Sequence, residues 1–224
     1  VNLYVIYKNL AQVTTTVADG SVGNAKITAM AASKLSGALP AVDGSALTGR
    51  GMKFISKSSP GSDVTQLDLT LSAANHDFYK IVGFLDNTSD NVNLRARFFD
   101  SSGSIDSGSG VYHIARVKIN TSQNSNYGVN SASYMDLSPT IGHNGTAEDG
   151  FGFEMTIGPT NHNNFPVQLM GQSFLHDEGG NAELSMFGGG YIAKAKTFGG
   201  IRFYFPSGDI GSTSELYVYG MNKS

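Results

Sequence analysis

The feature that most constrains this chain is a strict alternation of apolar and polar residues, repeated in short runs from residue 52 to the end. In "VNLRARFF", Val92, Leu94, Ala96 and Phe98 oppose Asn93, Arg95 and Arg97. In "FGFEMTI", Phe151, Phe153, Met155 and Ile157 share one side, and "LDLTL", "VYHIARVKI", "IRFYF" and "ELYVY" repeat the pattern. A period of two puts one face of a strand in a core and the other outside. Turn-forming clusters separate the runs: "DNTSDN", "DSSGSIDSGSG", "NTSQNSNYG", "GPTNHNN", "HDEGGN" and "PSGDIGSTS". Many short strands with no helix-period segment between them imply two packed antiparallel sheets. The expectation is an all-β antiparallel β-sandwich of jelly-roll type over residues 52–224.

The first fifty residues follow another rule. Residues 1–13, "VNLYVIYKNLAQV", alternate like a strand but have no neighbour in the sequence, and one strand alone leaves its backbone groups unpaired. With no initiator methionine, the reading is a closing strand of a preceding attachment domain missing from this chain. Residues 14–51 are rich in Ala, Gly and Ser and lack any aromatic residue. Ile27, Met30, Ala31 and Leu35 follow helical spacing, and Gly37 with Pro40 stops the run. A helix of about three turns is marginal by itself, and so thin an apolar stripe does not offset the entropy of ordering one chain. Two readings stay open: a flexible linker, or a trimerisation stalk in which Ile27, Met30, Ala31, Leu35, Leu39 and Leu47 meet their own copies at a shared axis.

Composition narrows the function. Charged residues make up 15% of the chain and the net charge is −3, which leaves no basic footprint for nucleic acid or an anionic membrane. There is no cysteine, hence no disulfide framework and no thiolate chemistry. No apolar run approaches the length of a membrane span, and the N-terminus lacks the basic start and cleavage site of a signal peptide.

Three stretches resemble the distal part of a bacteriophage tail fibre of the short-tailed type. "VNLYVIYKNLAQVTTTVADGSVGNAKI" resembles the junction where a closing strand is followed by a "DGSVxxAKI" step. "ASKLSGALPAVDGSALTG" resembles the "KLxGALPAxDGSxLTG" stalk repeat, and "IRFYFPSGDIGSTSELYVYG" the closing strands of a jelly-roll tip. Ser207-Gly208 shortens the usual loop there, and residues 120–180 match no part of the pattern. The resemblance implies a homotrimeric, non-enzymatic adhesin on the virion; a polysaccharide-degrading tailspike module and a purely structural virion protein are the alternatives. The adhesin's tip would bind a host surface receptor such as a polysaccharide, and its missing N-terminal part would join other tail proteins. It implies no cofactor, no nucleic acid and no membrane insertion.

Glycosidase chemistry asks for two carboxyl groups facing each other across a cleft about 5–9.5 Å wide. Glu148-Asp149 and Asp177-Glu178 sit in Gly-rich turns, where neighbours on a strand would diverge; Asp177 and Glu178 are the first to test. The histidines His76, His113, His143, His162 and His176 show no HxH or HxxxH spacing, so no metal is expected. The Asp86–Asn91 loop offers oxygen ligands without the terminal Glu of an EF-hand and reads as a turn. Gly188-Gly189-Gly190 lacks a following P-loop Lys and reads as a β-bulge or tight subunit packing. The positive signal is in "NTSQNSNYGVNSASY", residues 120–134, read as a polar loop with the Tyr/Ser/Asn/Gly make-up of recognition surfaces. Asn124, Asn126, Tyr127 and Tyr134 are its receptor-binding candidates. His162, Asn163, Asn164 and Phe165 in "GPTNHNNFP" are the second group.

Overall fold

In the computed structural model, the alternating runs become twelve strands arranged in two sheets. The structure describes residues 51–120, 124–143, 150–161, 165–177, 181–192 and 197–222. They belong to one compact unit, Thr48–Ser224. The strand expected at 1–13 and the stalk at 14–51, with Ile27, Met30, Ala31, Leu35, Leu39 and Leu47, lie outside the described residues.

The large sheet has eight strands in the order β1 (Met52–Ser58), β12 (Glu215–Asn222), β3 (His76–Leu85), β8 (Phe151–Gly158), β9 (Gln168–His176), β10 (Ala182–Tyr191), β5 (Tyr112–Asn120) and β6 (Asn124–Ala132). The small sheet has four, in the order β2 (Leu67–Thr70), β11 (Phe198–Tyr204), β4 (Arg95–Asp100) and β7 (Met135–Asp136). Every pairing is antiparallel. The protein is therefore an all-β, antiparallel, two-sheet sandwich over residues 52–221.

The core lies between the sheets and uses the residues that the alternation selects. Phe151, Phe153, Met155 and Ile157 of β8 are all buried, as are Leu94, Ala96 and Phe98 beside Ile201 and Phe203. Aromatic rings meet edge to face there: Phe98 packs on Tyr191 at 5.1 Å and on Phe198 at 5.3 Å.

Two sequence expectations are corrected. The stretch read as a polar loop is mostly β6, the edge strand of the large sheet, paired with β5 from Ile119↔Asn124 to Tyr112↔Ala132. Its Asn, Ser and Gly content disguised it, but an edge strand has to resist pairing with other chains, and polar side chains serve that end. The triple glycine is not a bulge. Gly188, Gly189 and Gly190 keep unbroken register with both β5 and β9. A Cβ on Gly189 would stand 2.7 Å from the His113 carbonyl oxygen, so close packing is the reason for it.

Candidate functional site

The two outer faces of the sandwich differ in chemistry. On the far wing of the large sheet, β9, β10 and β5 turn apolar side chains outward: Met170, Phe174, Leu184, Met186, Val117 and Ile119 are all exposed, Met170 to 69%. The same strands turn polar groups inward. Glu183 is fully buried and accepts a hydrogen bond from Lys118 Nζ at 3.0 Å; Ser173 and Ser185 share one at 2.8 Å. Arg116 and Lys118 alternate with buried Ile114 and point the same way as it does. These strands thus depart from the usual rule for a sheet with one wet face, although Leu169, Leu175, Phe187 and Ile114 on them still face the core. Near the middle of this outer surface, Lys80 pairs with Glu154 at 2.7 Å and Gln172 Nε2 donates to Glu154 Oε1 at 2.9 Å. These groups line a shallow cavity of about 250 Å³ with Met170 and Met186. The apolar surface therefore carries no charge that lacks a partner at this point.

The outer face of the small sheet is ionic and aromatic. Arg95 and Arg97 alternate with buried Ala96 and Phe98 on β4, so both guanidinium groups leave the core on one side. Arg95 Nε donates to Asp136 Oδ1 at 3.0 Å, and its guanidinium carbon stands 4.0 Å from the centre of the Tyr134 ring. Arg97 Nε donates to the Ser133 carbonyl at 2.9 Å, and its guanidinium lies 5.0 Å from the Tyr204 ring centre. Arg116 donates to the Ser138 carbonyl and lies 5.1 Å from the Tyr127 ring. The Tyr127 hydroxyl in turn donates to Asp136 Oδ2 at 3.3 Å. Three arginines thus lie within cation–π range of three tyrosines; Asp136 bonds Arg95 and Tyr127, and Arg116 and Tyr127 join from the inward side of β5 and β6.

Burial sets the titration of these groups. It pulls the Arg116 guanidinium below its ordinary value, while Asp136, Tyr127 and Glu183 oppose the shift. It pushes the Tyr204 phenol up, against the pull of Arg97 and Arg95. Tyr127 is raised by burial first and by the Asp136 charge second. At neutral pH Tyr127 and Tyr204, both raised, stay protonated.

The receptor candidates are divided by strand geometry. Asn124 and Asn126 pair with Ile119 and Val117, so they extend the exposed apolar face of the large sheet. Tyr127 pairs with Arg116 on the opposite side and joins the arginine–tyrosine cluster, as does Tyr134. The four therefore do not form one surface. Phe165 is 58% exposed; His162, Asn163 and Asn164 lie outside the described residues. Asp177 accepts hydrogen bonds from the Asn181 backbone at 2.9 Å and its side chain at 3.1 Å, and Glu178 lies outside the described residues.

The Asp86–Asn91 loop is built as a turn. Asn87 is fully buried, donating to the Ser89 and Gly142 carbonyls and accepting from Gly150 N, while Asp86 accepts from Thr213. Among the described residues no three His, Cys, Asp or Glu side chains converge as a metal site would require.

Sequence reasoning passed over Arg95, Arg97, Arg116, Asp136 and Tyr204. The signal available was the R-A-R step of β4, two like charges on one strand face. The chain matches no protein-family model, no characterised protein and no solved structure.

Proposed function

We propose that the chain is the distal part of a bacteriophage tail fibre. In this reading it is a homotrimeric, non-enzymatic receptor-binding protein with a jelly-roll tip on an Ala/Gly-rich stalk. One observation carries it: the exposed apolar outer face of β9, β10 and β5. Water is a poor neighbour for Met170, Phe174, Leu184 and Met186, each worth about 1.5–3 kcal/mol when fully buried. Copies of the same chain packed by this face around a threefold axis would cover it, and the Lys80–Glu154–Gln172 network would enter the interface already satisfied. The stalk repeat at 33–49 supports the same symmetry.

The binding reading is supported by how the carboxylates are occupied. Glu154, Glu183, Asp136, Asp68 and Glu215 each hold a lysine or arginine in an ion pair, as a structural carboxylate does. Three tips on one fibre would gain avidity from weak single contacts. The virion, with adsorption outside the host cell, is the corresponding location.

Sedimentation equilibrium of the full chain tests the assembly. The expected mass is three times 23.6 kDa, and a monomer at micromolar concentration would end this reading. Adsorption of labelled protein to a panel of bacterial cells tests the adhesin role, with saturable capture by a subset of strains expected.

A further inference from the structure

Arg95 and Arg97 stand two residues apart on one strand face, about 6.6 Å at the strand rise. That spacing lets two guanidinium groups approach one anion. Each is immobilised twice, by an Nε hydrogen bond and by a tyrosine ring. Among the described residues neither uses a terminal Nη atom in a hydrogen bond to protein, and the Arg95 side chain is 25% exposed. The contrast is Arg202 on the neighbouring strand, whose Nε and Nη2 are both taken by Asp68, at 2.7 and 2.6 Å. Tyr204, whose ring Arg97 covers, has its hydroxyl screened from solvent and, among the described residues, without a hydrogen-bond partner. A buried hydroxyl left unpaired costs free energy, and the part-exposed guanidinium forks beside it are the groups open to an acceptor from outside.

From these observations we propose that the Arg95–Arg97 pair, with Tyr134 and Tyr204, is a recognition site for an acidic sugar unit carrying a carboxylate. Guanidinium groups bind carboxylates through two parallel N–H donors, and holding the forks in advance lowers the entropic cost of binding. Asp136 sits at one edge and neutralises part of the charge, which disfavours densely charged polyanions and leaves room for a single carboxylate. The inference rests on the adhesin reading and narrows its ligand from a surface glycan to an acidic one.

The test is calorimetric binding of the full chain to an oligoglucose ending in one glucuronate unit, to a neutral oligoglucose of equal length, and to inorganic phosphate. The acidic oligomer should bind at least about tenfold more tightly than the neutral one, with phosphate alone a poor competitor. The Arg95→Gln/Arg97→Gln double variant should lose about tenfold or more of that affinity. Arg202→Gln, which removes the same charge from the same sheet face, should keep it. Equal binding of acidic and neutral oligomers overturns the proposal, as does equal loss in Arg202→Gln, which would mean diffuse surface charge. Phosphate competing as well as the oligomer would mean a general anion site and would overturn the sugar assignment. If the double variant fails to fold, Arg95→Lys keeps the charge without the fork and should still weaken the acidic oligomer selectively; unchanged affinity there counts against the site. Cell adsorption separates the two levels. Variants that adsorb like the wild type refute this site alone, whereas a monomeric wild type that adheres to no cell refutes the adhesin reading.

Discussion

Tyr112 and Tyr191 are direct cross-strand partners of β5 and β10, and their rings stack with centroids 5.4 Å apart and planes inclined by 13°. Both hydroxyls turn to one residue: Tyr191 donates to Asp106 Oδ2 at 2.5 Å and Tyr112 to the Asp106 carbonyl at 2.8 Å. Tyr112 also accepts from Phe98 N at 2.8 Å, so the pair ties the large sheet to β4 of the small one and to the loop that follows it. Tyr191→Phe removes a charge-assisted bond in a buried setting and should destabilise the domain by about 1.5–3 kcal/mol. Equilibrium urea unfolding with an unchanged m-value would measure it; a loss under half a kilocalorie (roughly) would show the bond to be dispensable.

The same burial makes a prediction about alkali. Tyr79, Tyr112, Tyr191 and Tyr204 are all raised above the ordinary tyrosine value, chiefly by desolvation of the phenolate. A group whose folded value is raised stabilises the fold fully below its unfolded value, near 10, and loses that contribution as pH climbs through the folded value. Stability should therefore fall steeply above about pH 10, with these phenols ionising only as the sandwich opens. Ultraviolet titration followed alongside circular dichroism checks this, and a full set of tyrosines titrating in the folded state would contradict it.

Carboxylate behaviour on the large sheet predicts the acid side. The Lys80 hydrogen bond and charge hold Glu154 below the usual glutamate value. Such a group contributes stability above its unfolded value and loses it as pH falls through the folded one. Because the pair is screened by solvent in the single chain, the loss should be small there and larger when the face is covered. The mass of the proposed trimer, followed from pH 7 downward, should hold until below about pH 4.5 and then drop.

Charge placed on the apolar wing should break the proposed trimer without breaking the fold. Met170 and Met186 are 69% and 60% exposed, so Met186→Glu costs little in a lone sandwich. Buried against a copy, an unpaired carboxylate costs several kilocalories per mole. The expected outcome in light scattering is a folded monomer, and a variant that keeps the wild-type mass would move the interface elsewhere.

Close packing of β8, β9 and β10 gives a last test. A Cβ on Gly171 would stand 2.4 Å from the Glu154 carbonyl oxygen and 2.6 Å from Phe187 Cζ. Gly171→Ala should lower stability by roughly 1–3 kcal/mol, the range for overpacking a filled core. Differential scanning calorimetry against Gly61→Ala, where nothing stands within 4 Å, provides the contrast.

Much of this fold was written along the chain. Phe151, Phe153, Met155 and Ile157 identified their buried face by alternation alone, as did Leu94, Ala96 and Phe98. The edge strand β6 was not legible, because its Asn and Ser residues answer to the exposed position of the strand rather than to strand propensity. The candidate sites were legible only as residue types. Tyr127 and Asn126 are adjacent in sequence and were grouped together, yet a period of two sends them to opposite faces.

What the sequence by itself determined is the secondary structure period, and with it the all-β class, since burial on one side of a strand needs only local spacing. Which of the two outer faces is apolar, and that Arg95 and Arg97 come to lie beside Tyr134 and Tyr204, was decided by the tertiary structure. Those relations depend on sheet order and register, which pair residues far apart in the chain, such as Arg95 of β4 and Tyr204 of β11, 109 positions away. No local pattern carries that information, because hydrogen bonding between strands is indifferent to the side chains until the two sheets close over a shared core.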